Sequence, residues 1–268
     1  MAKVRLDVHL YENGLVESRS VAQRLVMAGE VLINGEKALK PSQKIDDDAK
    51  IEIIRRPKFV SRGGEKLEAG LSHFGFSDLS GYVCVDVGAS TGGFTDCLLQ
   101  LGAKKVYAVD VGYGILHWKL RNDPRVVVME RTNARNIEAF PDSIDLVTID
   151  ASFISLRILL PVIKGWLSRK SQVIALIKPQ FEAGRKDAAK GAGVIRDHEV
   201  HKKILEEVLS YALNERFDIK GLIQSPLKGP KGNIEFLCHL TFSDENGTIE
   251  EKFNHLNESI NLTLENLM

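Results

Sequence analysis

Cysteine is scarce. The 268 residues hold three, Cys84, Cys97 and Cys238, too few and too scattered for a disulfide framework, and no Cys-x-x-Cys pair suggests zinc. Cys84 and Cys238 lie inside apolar, strand-like runs and read as small core residues. No apolar h-region opens the chain, so no secretory signal is expected. No apolar run reaches the roughly 18 residues needed to span a bilayer. Net charge is also missing, with 36 Lys+Arg against 36 Asp+Glu, so whole-chain electrostatics select no partner. These absences point to a reducing, cytoplasmic setting, with no metal and no membrane.

What is present is ordinary globular material, 44% hydrophobic and 27% charged, in a chain long enough for one large domain and a small one. Charge is unevenly spread. Residues 1–66 carry 13 Lys+Arg against 10 Asp+Glu, so an anionic partner is expected to meet the N-terminal part. The acidic run Asp46-Asp47-Asp48 has no other ligands near it and reads as a solvated turn.

The first segment has the pattern of a compact module. Leu6 and Leu10 suggest a short helix ended by Gly14. Ser18 or Ser20 can cap a second helix, Val21 to Ala28, stopped by Gly29. Val31-Leu32-Ile33 reads as a strand, Asn34-Gly35 as a tight hairpin turn, and the run from Ile51 to Ile54 as a closing strand. Arg5-Leu6-Asp7, Gly14-Leu15, Ser18-Arg19, Ala22, Leu25, Gly29, Val31 and Asn34-Gly35 resemble, at their spacing, the RNA-binding domain of ribosomal protein S-four. The resemblance implies that the helix pair presents basic side chains to structured RNA, with Arg5, Arg19 and Arg24 as candidates. A guanidinium fork suits phosphate oxygens, and such contacts position the protein without reading sequence. A basic, proline-containing stretch follows at 55–62, in which Arg62 and its basic neighbours can track an RNA backbone or serve as a solvated hinge.

From residue 82 strands and helices alternate, which predicts a mainly parallel α/β sheet with helices on both faces. Strands are expected over 82–87, 106–110, 126–129, 144–150, 173–177, 217–224 and 234–242. Helices are expected over 93–101, 115–120, 155–167 and 199–213. The last two strands have no helix between them and suggest a terminal antiparallel pair. After the first strand comes Asp86-Val87-Gly88-Ala89-Ser90-Thr91-Gly92-Gly93-Phe94-Thr95, opening a helix. Glycines there allow close approach of backbone to ligand. Asp110 ends the second strand, where a carboxylate can accept from ribose hydroxyls. The glycine spacing is not G-x-G-x-x-G. An acid opening the loop suits S-adenosylmethionine, which carries cationic groups and no phosphate, better than a dinucleotide. The loop resembles the first motif of FtsJ-type ribose methyltransferases, and that resemblance places Asn133 near the adenine edge.

Four ionisable residues then stand out in order: Lys66 before the first strand, Asp150 and Lys178 after apolar runs, and Glu235 inside one. Ligands of open α/β sheets bind outside the carboxyl ends of the strands, and charges at such ends are costly unless they pair or work. The order resembles the K-D-K-E set of 2′-O-ribose methyltransferases. That resemblance implies Lys178 as base, Lys66 as second cation near the 2′-oxygen, Asp150 as the group orienting Lys178 beside the methyl donor, and Glu235 as the holder of Lys66 or the ribose. A lysine base must be uncharged when it acts, which burial and a nearby cation favour. Two loops are expected to flank the target: 182–197, with Arg185, Lys186, Lys190 and Arg196, and 225–233, with Lys228 and Lys231. His117, His198 and His201 have no ligand partner and read as surface or cap residues, and Trp118 and Trp166 as packing residues on helices. The tail is expected to be a helix opened by a Thr248/Glu251 capping box.

Almost the whole chain resembles the TlyA family, whose members often carry the label hemolysin. The expected fold is a Rossmann-like class I methyltransferase sheet behind a small α+β S-four-like RNA-binding domain. The expected divisions are 1–58 for that domain, 59–64 for a linker, 65–243 for the methyltransferase domain and 244–268 for a helix packed on it. The resemblance implies S-adenosylmethionine-dependent 2′-O-methylation of cytidine in ribosomal RNA, 23S with 16S as a further candidate, with ribosomal RNA or subunits as partner and no DNA. A membrane-active hemolysin and a non-catalytic RNA-binding protein are the alternatives.

Overall fold

A computed structural model describes residues 3–54, 57–183, 193–229, 231–242 and 249–265, with side chains from 256 onward in the last segment. The chain divides into two compact units, Met1–Pro57 and Lys58–Met268.

In the first unit, β1 (Lys3–Arg5) leads into α1 (Leu6–Glu12) and α2 (Arg19–Met27). Ser18 caps α2, its hydroxyl accepting from the Val21 amide at 3.3 Å, which satisfies one of the helix's orphan donors. β2 (Val31–Ile33), β3 (Glu36–Lys37), β4 (Lys44–Asp46) and β5 (Ile51–Ile53) follow. Asn34 and Gly35 both take positive φ, 52° and 87°, the backbone of a two-residue hairpin turn, here joining β2 to β3. β2 pairs antiparallel with both β3 and β5. The β1–β4 pair is not foreshadowed in the sequence, because three-residue strands carry too little alternation to read. Leu6, Leu10, Ala22, Leu25, Val26, Val31 and Ile45 form the core.

The second unit opens with α3 (Gly63–His73), then β6 (Val83–Val87), α4 (Gly93–Gln100), β7 (Lys105–Val109), α5 (Trp118–Arg121), β8 (Val126–Met129), β9 (Ile144–Ile149), α6 (Leu156–Lys164), β10 (Leu167–Ile177), α7 (Pro179–Glu182), α8 (His198–Asn214), β11 (Phe217–Gln224), β12 (Phe236–Phe242) and α9 (Ile249–Glu265). One sheet takes the order β11-β12-β10-β9-β6-β7-β8. β10, β9, β6, β7 and β8 are mutually parallel, while β12 runs antiparallel between β10 and β11. Alternate residues of β6 point to opposite cores, Val83, Val85 and Val87 to one and Cys84 to the other. Burial on both faces explains why the central strands read as apolar runs. α9 adds Leu256, Ile260 and Leu264 to the first of these cores.

Several sequence expectations need correction. The expected 115–120 helix contracts to the single turn of α5, and Trp118 is 63% exposed rather than packed. Trp166 does pack, but between α6 and β10, with its indole N–H donating to the Ile137 carbonyl at 3.0 Å. His201 is not a surface residue: it is 1% exposed and meets the Phe236 ring edge-on. β12 begins at Phe236, so Glu235 precedes the strand instead of lying in it. α3, which carries Lys66, was not anticipated. Arg55, Arg56, Arg185, Lys186, Lys190 and the Thr248 half of the capping box lie outside the described residues.

Candidate active site

The order of the parallel strands reverses at the β6/β9 pair, and the crevice at such a reversal is where open α/β sheets hold ligands. β6 delivers the glycine loop and β9 delivers Asp150 to the same point. The Asp150 amide donates to the Val87 carbonyl at 2.9 Å. Gly88, at φ +83°, passes so close to β9 that an added Cβ would lie 2.8 Å from the Asp150 carbonyl oxygen. Only glycine fits that position without displacing the backbone.

A cavity of about 220 Å³ opens there. Gly88, Ala89, Ser90, Thr91, Gly93, Phe94 and Asp150 line one side, and Ser61, Arg62, Gly63, Lys66, Leu227 and Lys228 complete it. Asp110 sits just beyond this lining. Its two oxygens accept from the Ser90 amide at 2.8 Å and the Gly112 amide at 2.7 Å, which fixes the loop and leaves lone pairs for a ligand's hydroxyls. Gly92, at φ +96°, is hemmed in by Leu120, 2.2 Å from an ideal Cβ, and serves the turn. Asn133 is exposed, and its side-chain oxygen accepts from the Arg135 amide at 3.0 Å. Asp86 is fully buried behind the loop. Thr95 and Thr148 donate to its carboxylate at 2.6 and 3.2 Å. Burial, opposed in part by the Thr95 hydrogen bond, pushes its pKa up to about 7.

The four charged residues resolve into two ion pairs. α3 carries Lys66, whose ammonium meets the Glu235 carboxylate at 2.5 Å, with side-chain exposures of 11% and 1%. Lys178, the residue between β10 and α7, meets Asp150 Oδ1 at 2.5 Å and donates to Ser152 Oγ at 3.0 Å. Lys66 and Asp150 face the cavity, and their partners stand behind them. Charges this buried persist because they are paired.

Three supporting residues escaped the sequence reading. Ser152 holds Lys178. Gln180 donates to Glu235 Oε1 at 3.4 Å. Glu182, 5% exposed, accepts from Ser155 Oγ at 2.5 Å and from the Leu156 amide at 2.7 Å, so α7 is tied to the start of α6. Burial raises the Glu182 pKa from its ordinary value. Their only sequence signal is adjacency to Asp150 and Lys178.

In the first unit Asp7 is 0% exposed and gathers Arg5 at 2.9 Å, Arg19 at 3.2 Å and Gln23 at 2.9 Å. The hydrogen bond from Arg5 leads the causes that hold its carboxyl well below the usual carboxylate range, against the opposing cost of burial. Arg5 and Arg19 therefore share one anchored guanidinium cluster and stay about half exposed, 46% and 51%. Arg24 is exposed on α2. Lys231 is exposed in the loop that leads to Glu235.

The sheet order, the glycine loop and the paired charges at the strand reversal define a Rossmann-like methyltransferase. A solved methyltransferase structure from Listeria monocytogenes shares the fold at 16% identity, covering 68% of this chain and 98% of that one, TM-score 0.51. The FtsJ-like methyltransferase family matches residues 59–242, and the S4 domain matches residues 4–51. The chain belongs to the FtsJ-like methyltransferases, in the TlyA family that joins them to an S4 domain. The 16S/23S rRNA (cytidine-2′-O)-methyltransferase TlyA of Mycobacterium tuberculosis H37Rv is 43% identical over 242 residues, 89% of this chain and 90% of that protein. Hemolysin A of Brachyspira hyodysenteriae is 48% identical over 239 residues, 88% of this chain and 99% of that protein. A structure from Streptococcus thermophilus that carries a hemolysin name is 44% identical and covers 99% of each chain, TM-score 0.71. Among the described residues no helix is long and apolar enough to cross a membrane.

Proposed function

We propose that this protein is an S-adenosylmethionine-dependent methyltransferase acting on the 2′-hydroxyl of a cytidine in ribosomal RNA. The observation that carries the reading is the pair of ion pairs meeting at one cavity, Lys66–Glu235 and Lys178–Asp150. The cavity is electrically two-sided. Asp150 and the backbone of the glycine loop suit a cationic cofactor, while Arg62, Lys66 and Lys228 suit a phosphate polymer. The close approach enforced at Gly88 and the free lone pairs of Asp110 fit an adenosyl group, with Asn133 near its base and Asp86 shaping the loop from behind.

When bound, S-adenosylmethionine supplies an electrophilic methyl carbon on a positively charged sulfur. The residues of this chain do the rest. Lys178, once its ammonium has given up a proton to solvent, would as the free amine take the proton that the 2′-hydroxyl loses when its oxygen is methylated. The resulting ammonium faces Asp150 and Ser152. Lys66, held by Glu235, donates to the 2′-oxygen and places it. Alignment of this kind supplies about 7–11 kcal/mol toward the barrier. Arg62, Lys228 and Lys231 follow the target's backbone. Arg5, Arg19 and Arg24 of the first unit contact phosphates of folded RNA, positioning without reading sequence. The relatives' names support ribosomal RNA and cytidine as target. Purified wild type should transfer labelled methyl groups to ribosomal RNA from a strain lacking the gene. Lys178→Ala should abolish transfer and keep cofactor affinity, by calorimetry, within about twofold. Retained transfer removes Lys178 from the base role.

A further inference from the structure

The two ion pairs sit on separate elements, and one side chain ties the first pair to the helix that follows Lys178. Lys66 and Glu235 come from α3 and from the loop before β12; Lys178 immediately precedes α7. Gln180, on α7 two residues after Lys178, donates its amide to Glu235 Oε1 at 3.4 Å. The other Glu235 oxygen is taken by Lys66 at 2.5 Å. Glu235 is enclosed on a third side by Gly229, where an added Cβ would lie 2.4 Å from Oε1. The carboxylate is 1% exposed, so a protein donor at Oε1 replaces the water it has lost. Gln180 Oε1 is itself buried without a hydrogen-bond partner among the described residues. A buried carbonyl in that state is destabilising. A leucine would remove that orphan carbonyl but leave Glu235 Oε1 without its donor, so the amide at 180 serves the bond to Glu235.

We infer that Gln180 is a positioning residue: its amide locks Glu235, and through it Lys66, to the turn that carries Lys178, setting the separation of the two lysines around the target hydroxyl. This rests on the reading above of the two lysines. Gln180 touches neither cofactor nor reacting atoms in this role. Loss of the link leaves both ion pairs intact but lets them drift apart, and small misplacements of reacting groups cost rate steeply. The effect therefore falls on kcat and spares the binding of either substrate.

The test uses the full chain, tritiated S-adenosylmethionine and ribosomal RNA from a strain lacking the gene, between pH 6 and 9. Gln180→Leu should lower kcat about tenfold, as expected for losing a hydrogen bond to a charged acceptor, with both KM values within about twofold of wild type. Gln180→Glu is nearly isosteric and keeps the fold testable if the leucine variant does not purify. Beside Glu235 its carboxyl shares one proton at low pH and still donates; at high pH two carboxylates repel. Its kcat relative to wild type should be highest at pH 6 and fall steadily toward pH 9. The new carboxyl meets Glu235, which is itself paired with Lys66, and the Lys178–Asp150 pair is the same in both proteins, so the ratio isolates position 180. A Gln180→Leu kcat within about twofold of wild type, or a Gln180→Glu ratio that is flat with pH, overturns the inference while the functional reading stands. A wild type that methylates no ribosomal RNA overturns the functional reading, and this inference with it.

Discussion

Removing the Glu235 carboxylate isolates a buried ammonium, and the consequence can be sized. The Lys66 and Glu235 side chains are 11% and 1% exposed, with 2.5 Å between the charged atoms. Breaking a buried pair from one side costs about 3–5 kcal/mol, because the surviving charge loses its partner without regaining water. Lys66 lines the cavity, which gives its head group some access to solvent and favours the lower end. For a unit of this size each kcal/mol moves the melting temperature by about 2–4 °C, so Glu235→Ala should melt about 6–12 °C below wild type. The double replacement Lys66→Met with Glu235→Leu removes both charges and fills their space, so it should recover most of that loss. It should still be inactive, since nothing then holds the 2′-oxygen. Differential scanning calorimetry with a methyl-transfer assay on the same samples separates the two outcomes. A Glu235→Ala variant melting within about 2 °C of wild type, or a double variant no more stable than the single one, would refute the claim that the pair is buried and interdependent.

The buried Asp86 carboxyl makes stability depend on pH. Its folded pKa is raised to about 7, first by desolvation, above the roughly 3.9 of an unfolded chain. The stability this group contributes is complete below about pH 4 and is lost as pH rises through about 7, with an upper bound of about 4 kcal/mol. Urea melts of Asp86→Asn should show the variant gaining on wild type between pH 4.5 and 7.5; a constant difference would contradict the burial argument. Gly88→Ala puts a Cβ 2.8 Å from the Asp150 carbonyl oxygen at φ +83°, so calorimetry should show cofactor affinity reduced about tenfold or more, and unchanged affinity would remove the loop from the cofactor site.

Periodicity and turn chemistry made much of the fold legible in the sequence. Ser18, Asn34-Gly35 and the apolar runs of the central strands each announce local structure through one physical requirement: a cap acceptor, positive φ, or burial on both faces. The terminal antiparallel pair was readable because no helix separates Phe217–Gln224 from Phe236–Phe242. What stayed hidden depends on distant partners. β1 and β4 exist because they pair with each other. α3 was missed because two glycines open it, Gly63 and Gly64, and an added Cβ at Gly64 would strike Phe59 at 2.3 Å. The candidate site was legible as residue types and order. The division into Lys66–Glu235 and Lys178–Asp150 came only with the fold, as did Asp150 and Lys66 facing the cavity while their partners stand behind. Gln180 and Ser152 could not be singled out in advance, since a lone amide or hydroxyl beside a charged residue has no distinctive pattern. Trp118 and His201 show the converse error, in which residue type suggested burial or exposure and the neighbouring chain decided otherwise.

The central claim is that these paired charges methylate a ribose in ribosomal RNA, and mass-spectrometric mapping of 2′-O-methylation tests it most directly. Ribosomal RNA would be compared from the parent strain, from a strain lacking the gene, and from that strain carrying the wild-type or the Lys178→Ala protein. The account predicts a methyl group lost from at least one cytidine on deletion, restored by the wild type and left missing by the variant. Identical maps in all four strains would contradict it.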